Sequence, residues 1–159
     1  MNEIRQHRIT VARSARYYTL DGSHESKELW LVVHGYGQLA GRFIRHFETI
    51  ASPHRVIVAP EALLRFYLDP ADRPATERRV GASWMTREDR ETDIADYIAY
   101  LDQVVAEVLN GRDLRIIALG FSQGVATVAR WTLASRFRIT HLVLWGSLLP
   151  PDLDQQKAH

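Results

Sequence analysis

Four apolar runs, ELWLVVHG (28–35), HRVIVAP (54–60), LRIIALG (114–120) and HLVLWGS (141–147), constrain this chain more than any other feature of it. Each is too short for an ordinary helix, and each is apolar at consecutive rather than alternating positions. That is the pattern of a strand buried on both faces, as in a parallel sheet. Parallel strands need long crossovers, usually helical. AGRFIRHFETIA (40–51) supplies one, with Phe43, Ile44, Phe47 and Ile50 at helical spacing. Thr86–Asp89 resembles a capping box, and Ile94, Ile98, Leu101, Val105 and Val108 form the stripe of a long helix that stops at Asn110-Gly111. GVATVARWTLASR (124–136) predicts a further helix, small at its start. The expected architecture is an α/β fold whose mostly parallel sheet carries helices on both faces.

Two stretches fit less well. RITVARSARYYTL (8–20) alternates loosely, which predicts one or two strands ending at Asp21-Gly22. From Glu61 to about Thr86 no period is visible, and an ordered loop of ~25 residues is usually a lid or a binding loop. At 159 residues one domain is expected, over residues 1–159. A formal net charge of +1, with arginines scattered among acids as in TREDRETD, offers no stripe for nucleic acid. The absence of cysteine removes disulfides, thiolate metal sites and a cysteine nucleophile together. No segment has the length of a membrane span or the form of a signal peptide, so a cytoplasmic location is the default expectation.

The chemistry concentrates at residues 120–124, Gly-Phe-Ser-Gln-Gly. Here a predicted strand delivers Ser122 directly into a predicted helix, the strand–turn–helix context of a nucleophile elbow. Glycine at 120 and 124 lets helix and strand approach closely, and the Gln123 amide at the helix start is a candidate oxyanion donor. The loop after an earlier strand should supply the second donor. LVVHGYG is placed for it, with the Tyr36 amide as candidate.

With VVHGYGQ, VIVAPEA, SWM and GFSQG in view, the chain resembles the carboxylesterase/phospholipase group of α/β hydrolases, relatives of the acyl-protein thioesterases. The resemblance implies a cofactor-free and metal-free serine hydrolase acting on small-molecule acyl esters or thioesters. Ser122 would be its nucleophile, the amides of Tyr36 and Gln123 its oxyanion donors, and the segment around Leu64, Trp84 and Met85 its acyl-side wall. In that group an acid and a histidine follow the serine in sequence, beyond further strands. About two strand–helix units are therefore expected to be missing after HLVLWGS, at ~30 residues per unit.

The seven histidines can be screened by position. His54 and His141 stand at strand starts, at the wrong edge of a parallel sheet. His7 and His24 belong to the N-terminal region, His46 to a helix, and His159 to the terminus. His34 ends the correct strand and alone has internal reach to Ser122. Asp152 and Asp154 are weak candidates for the acid. The base is thus expected from outside residues 1–158. The rival reading is a catalytically incomplete remnant that serves as a binding or interaction module. In either case HLVLWGS would be a bare edge strand, which predicts a homodimer or swapped assembly through 141–147.

Overall fold

The computed structural model describes residues 3–153. Its main sheet has the order β1-β3-β2-β6-β7, formed by β1 (Tyr17–Leu20), β2 (Glu28–Val33), β3 (Arg55–Pro60), β6 (Arg115–Phe121) and β7 (Ile139–Trp145). All neighbours are parallel except β1, which runs antiparallel to β3. The four apolar runs are the four parallel strands.

Successive strand residues point to opposite faces; in β2, β3 and β6 both faces are buried, whereas β7 is exposed along most of its length. Leu29, Leu31, Val33, Val58, Ile116 and Ala118 face a core completed by α2 (Arg90–Leu109) and α3 (Gln123–Ala134). Val32, Ile57, Ala59 and Leu119 face a smaller core closed by Phe43, Ile44 and Phe47. Helices thus cover both faces of the central strands, as the apolar runs require.

Within 8–20 one strand forms, Tyr17–Leu20, ending just before Asp21-Gly22 as expected. Three local expectations need correction. The 40–51 segment begins as a single helical turn, α1 (Ala40–Phe43), and continues as a 3-10 helix over Ile44–Ile50. Ile44, Phe47 and Ile50 are three apart, which aligns them on a three-residue turn as well as on an α-helix. The stretch 61–86 holds a hairpin, β4 (Leu64–Tyr67) with β5 (Val80–Ser83). Finally, α2 starts without a side-chain cap; Asp89 takes a left-handed φ of 48°, and the Thr86 hydroxyl bonds to Glu88 instead. Its most buried face also lies partly aside from the predicted stripe, along Tyr97, Tyr100, Leu101, Val104 and Val105. The predicted Asn110-Gly111 stop is present, both residues at positive φ.

Candidate active site

At the carboxyl end of β6 the chain reverses through Ser122, whose φ of 52° and ψ of −115° lie in territory that favours glycine. The surroundings enforce this. A Cβ at Gly120 would fall 2.3 Å from the Gly124 carbonyl oxygen, and one at Gly124 would fall 2.3 Å from the Val33 oxygen. Only hydrogen at both positions lets α3 descend onto β6 and β2. The Ser122 amide is held by the Trp145 carbonyl (2.9 Å), which ties the turn to the end of β7. Its Oγ has no hydrogen-bond partner among the described residues.

Facing the turn is the loop after β2. A Cβ at Gly35 would lie 3.1 Å from the Ser122 Cβ, so glycine allows this loop to rest against the serine. Its amides are nearly all committed: Gly35 donates to Gln38 Oε1 (2.7 Å), Gly37 to the Ala82 carbonyl (2.8 Å) and Gln38 to the Gly35 carbonyl (3.2 Å). Among the described residues the amides of Tyr36 and Gln123 donate to no protein acceptor. Gln123 also begins α3, where the helix dipole favours negative charge. The Tyr36 ring stacks on Phe66 of β4, 5.1 Å between centroids. Thus the hairpin of β4 and β5 is the seat of the HGYG turn.

His34 is excluded as the base by its contacts. It is fully buried, Nε2 accepts the Ala62 amide (3.1 Å), and Nδ1 lies 2.8 Å from the Gly35 carbonyl. Since Nε2 must be bare to accept, the proton sits on Nδ1 and the ring is neutral. Burial also pushes its pKa below the usual histidine value. The imidazole is therefore a strut between the loops after β2 and β3. A second strut, unforeseen in the sequence, is Glu61: buried, it accepts the Ala40 amide (3.3 Å) and pairs with Arg16 (2.7 Å).

The other histidines stay where the strand pattern put them. His54 precedes β3, and His141 pairs with Ile117, four residues before the end of β6. His46 is exposed, edge-on to Phe43. Asp152 is taken by Arg130 (2.8 Å) and Arg90 (2.6 Å), which hold its carboxyl well below the usual range. Asp154 and His159 lie outside the described residues.

Of the three wall residues, Trp84 is corrected to a core residue: it is 2% exposed, and its indole N–H donates to the His34 carbonyl (2.9 Å). Leu64 and Met85 are half-buried. Met85 adjoins the turn because the Gln123 side chain reaches it; Nε2 donates to the Met85 carbonyl (3.1 Å) and Oε1 accepts the Trp84 amide (3.1 Å). The sequence points only to the Gln123 main chain, as a candidate oxyanion donor. Its one available signal was a carboxamide, donor and acceptor together, directly after the serine. Two open clefts of about 440 and 330 Å³ lie towards the opposite end of the sheet, and Ser122 lines neither.

No protein-family model and no curated protein matches the chain. Among solved structures it is similar to a carboxylesterase from Mesorhizobium loti, at 21% identity and TM-score 0.61, over 85% of this chain and 63% of that one. A phospholipase/carboxylesterase from Dyadobacter fermentans aligns at 18% identity and TM-score 0.59, over 93% and 68%. A protein of unknown function from Agrobacterium tumefaciens aligns at 16% and TM-score 0.59, over 84% and 61%. The chain has the α/β-hydrolase fold, and it spans less than two thirds of the length of the first and third of these structures.

Proposed function

We propose that this chain carries the nucleophilic half of a serine hydrolase acting on small-molecule acyl esters or thioesters. The observation that carries the reading is a serine at a strained strand-to-helix turn, flanked by two uncommitted amides. In the reaction Ser122 Oγ attacks the acyl carbonyl and its proton passes to an imidazole. The amides of Tyr36 and Gln123 take the charge that develops on the carbonyl oxygen. Collapse expels the alcohol or thiol with that proton, and water then releases the acid from the acyl-serine. This chemistry uses no metal or cofactor. Names of structures with the same fold, a carboxylesterase and a phospholipase/carboxylesterase, support the substrate class.

His34 is committed to its strut, so the base is assigned to residues outside those described or to a second polypeptide. We also propose that the bare edge of β7 is where this chain meets another copy of itself. Met85 and Leu64 remain the proposed acyl-side wall.

A fluorophosphonate probe tests the core of the reading. The expected result is stoichiometric labelling that disappears in Ser122→Ala. Folded protein that takes up no label, or a Ser122→Ala variant that labels as well as the parent, would sink it and favour a non-catalytic binding module.

A further inference from the structure

The side chain of Gln123, the first residue of α3, turns inward and spends both amide hydrogens and one oxygen lone pair on three consecutive residues. Oε1 accepts the Trp84 amide (3.1 Å), while Nε2 donates to Ser83 Oγ (3.1 Å) and to the Met85 carbonyl (3.1 Å). Ser83 closes the knot by donating its own hydroxyl to the Met85 carbonyl (2.8 Å). The partners lie about 40 residues away in sequence, so the knot is a tertiary tie and not a helix cap. Ser83 and Trp84 are buried, and within this triplet only the Met85 side chain reaches solvent. On its far side Met85 Sδ meets Arg130 Nη1 (3.6 Å), and Arg130 is itself clamped by Asp152.

We propose that the Gln123 carboxamide is a positioning residue that locks Met85 beside the nucleophile turn and thereby sets the acyl-chain length the Ser122 site accepts. The inference rests on the reading of Ser122 as nucleophile and adds a specificity element to it. The geometry gives it content. A glutamine side chain spans only a few bonds, so whatever it fixes lies next to the serine that precedes it. An unbranched thioether fills a gap adaptably, and a methionine free to move would accept any chain. With its carbonyl held by Gln123 and its Sδ against Arg130 Nη1 (3.6 Å), it presents a restricted apolar surface.

The chain has two methionines, Met1 and Met85, so ¹³C-methyl labelling yields one interior reporter. The probes are octanoate and butyrate, with the Met85 methyl shift giving each affinity and hydrogen exchange at the Trp84 amide reporting the tie. In the parent, octanoate should move the signal saturably and bind at least about tenfold more tightly than butyrate, as burial of two or more extra methylenes requires. Gln123→Glu keeps an acceptor for Trp84 but loses the donor to Met85. Trp84 exchange should stay slow, while the octanoate preference falls about fivefold or more. Gln123→Met loses both, and Trp84 exchange should rise about tenfold. Ser83→Ala, which leaves the elbow untouched, should lower the preference in the same direction and by less.

Faster Trp84 exchange with an undiminished chain-length preference would overturn the proposal, since the tie would then be structural only. A Met85 signal indifferent to octanoate in the parent would overturn it as well. Fluorophosphonate labelling separates this from the reading beneath it: no label with an intact Met85 response defeats the nucleophile and leaves the tie standing.

Discussion

At Ser122 the proposed nucleophilic role and stability pull in opposite directions. A non-glycine residue at φ 52° and ψ −115° costs on the order of 1–3 kcal/mol, and nothing in the main-chain bonding of the turn requires a side chain there. Ser122→Gly should therefore raise stability by about 1 kcal/mol, the strain relieved less the added entropy of an unfolded glycine, while ending fluorophosphonate labelling. A urea midpoint that stays put or falls would show that the turn is not strained. His34 stores a different liability. Its folded pKa lies below the unfolded value of ~6.5, so below that pH the unfolded chain binds more protons than the folded one. The His34 contribution is then constant above pH ~6.5 and shrinks as pH falls from there towards the folded pKa. The urea midpoint should drop between pH 7.5 and 5, and His34→Asn should flatten that drop while lowering the pH 7.5 stability by about 1–3 kcal/mol, as the buried Ala62 amide loses its acceptor. A parent midpoint independent of pH would refute the strut.

Among elements, those legible from sequence were the ones whose signal is local. The parallel strands announce themselves because burial on both faces demands consecutive apolar residues, and the elbow because two glycines must bracket its serine. The hairpin of β4 and β5 had no such signal, since its strands are four residues each and β5 reads Val-Gly-Ala-Ser. Its small residues make sense only in the fold, where a Cβ at Gly81 would lie 2.5 Å from the Gly37 carbonyl oxygen. The Gln123 knot and the Glu61 strut were hidden for the same reason, being hydrogen bonds across long sequence separations. Two such bonds also tie the end of α3 to α2. Asp102 of α2 accepts the indole N–H of the fully buried Trp131 (2.8 Å) and the Ser135 hydroxyl (2.6 Å) at the end of α3. Asp102→Ala should cost about 2–3 kcal/mol because it leaves a buried donor unpaired, whereas Asp102→Asn, which keeps an acceptor, should cost about half of that. Equal losses in thermal unfolding would mean that Asp102 acts through its charge and not as an acceptor for Trp131.

Among the described residues the sheet has two unlike edges, a four-residue antiparallel strand at one and the longer, exposed β7 at the other. At one edge of the sheet β1 is a short antiparallel strand, anchored at its start where the Arg16 carbonyl accepts the Glu61 amide and the Tyr100 hydroxyl. At the other edge β7 offers its outer backbone together with Leu142, Val143, Leu144 and Trp145, all exposed, the last at 55%. Apolar residues on both faces of a strand whose outer edge has no partner among the described residues are what proteins ordinarily avoid. A second copy related by a two-fold axis would pair β7 with β7 antiparallel and continue the sheet across the interface, burying both faces at once. Leu142 and Val143 point to opposite faces, so Leu142→Lys with Val143→Lys places a charge on each and, across the axis, like charges in apposition. Sedimentation should find the parent dimeric at tens of micromolar and the double variant at least tenfold weaker in association, with unchanged far-ultraviolet circular dichroism. A parent that sediments as a monomer throughout would leave the edge to another strand, and a double variant as tightly paired as the parent would move the interface elsewhere on the surface.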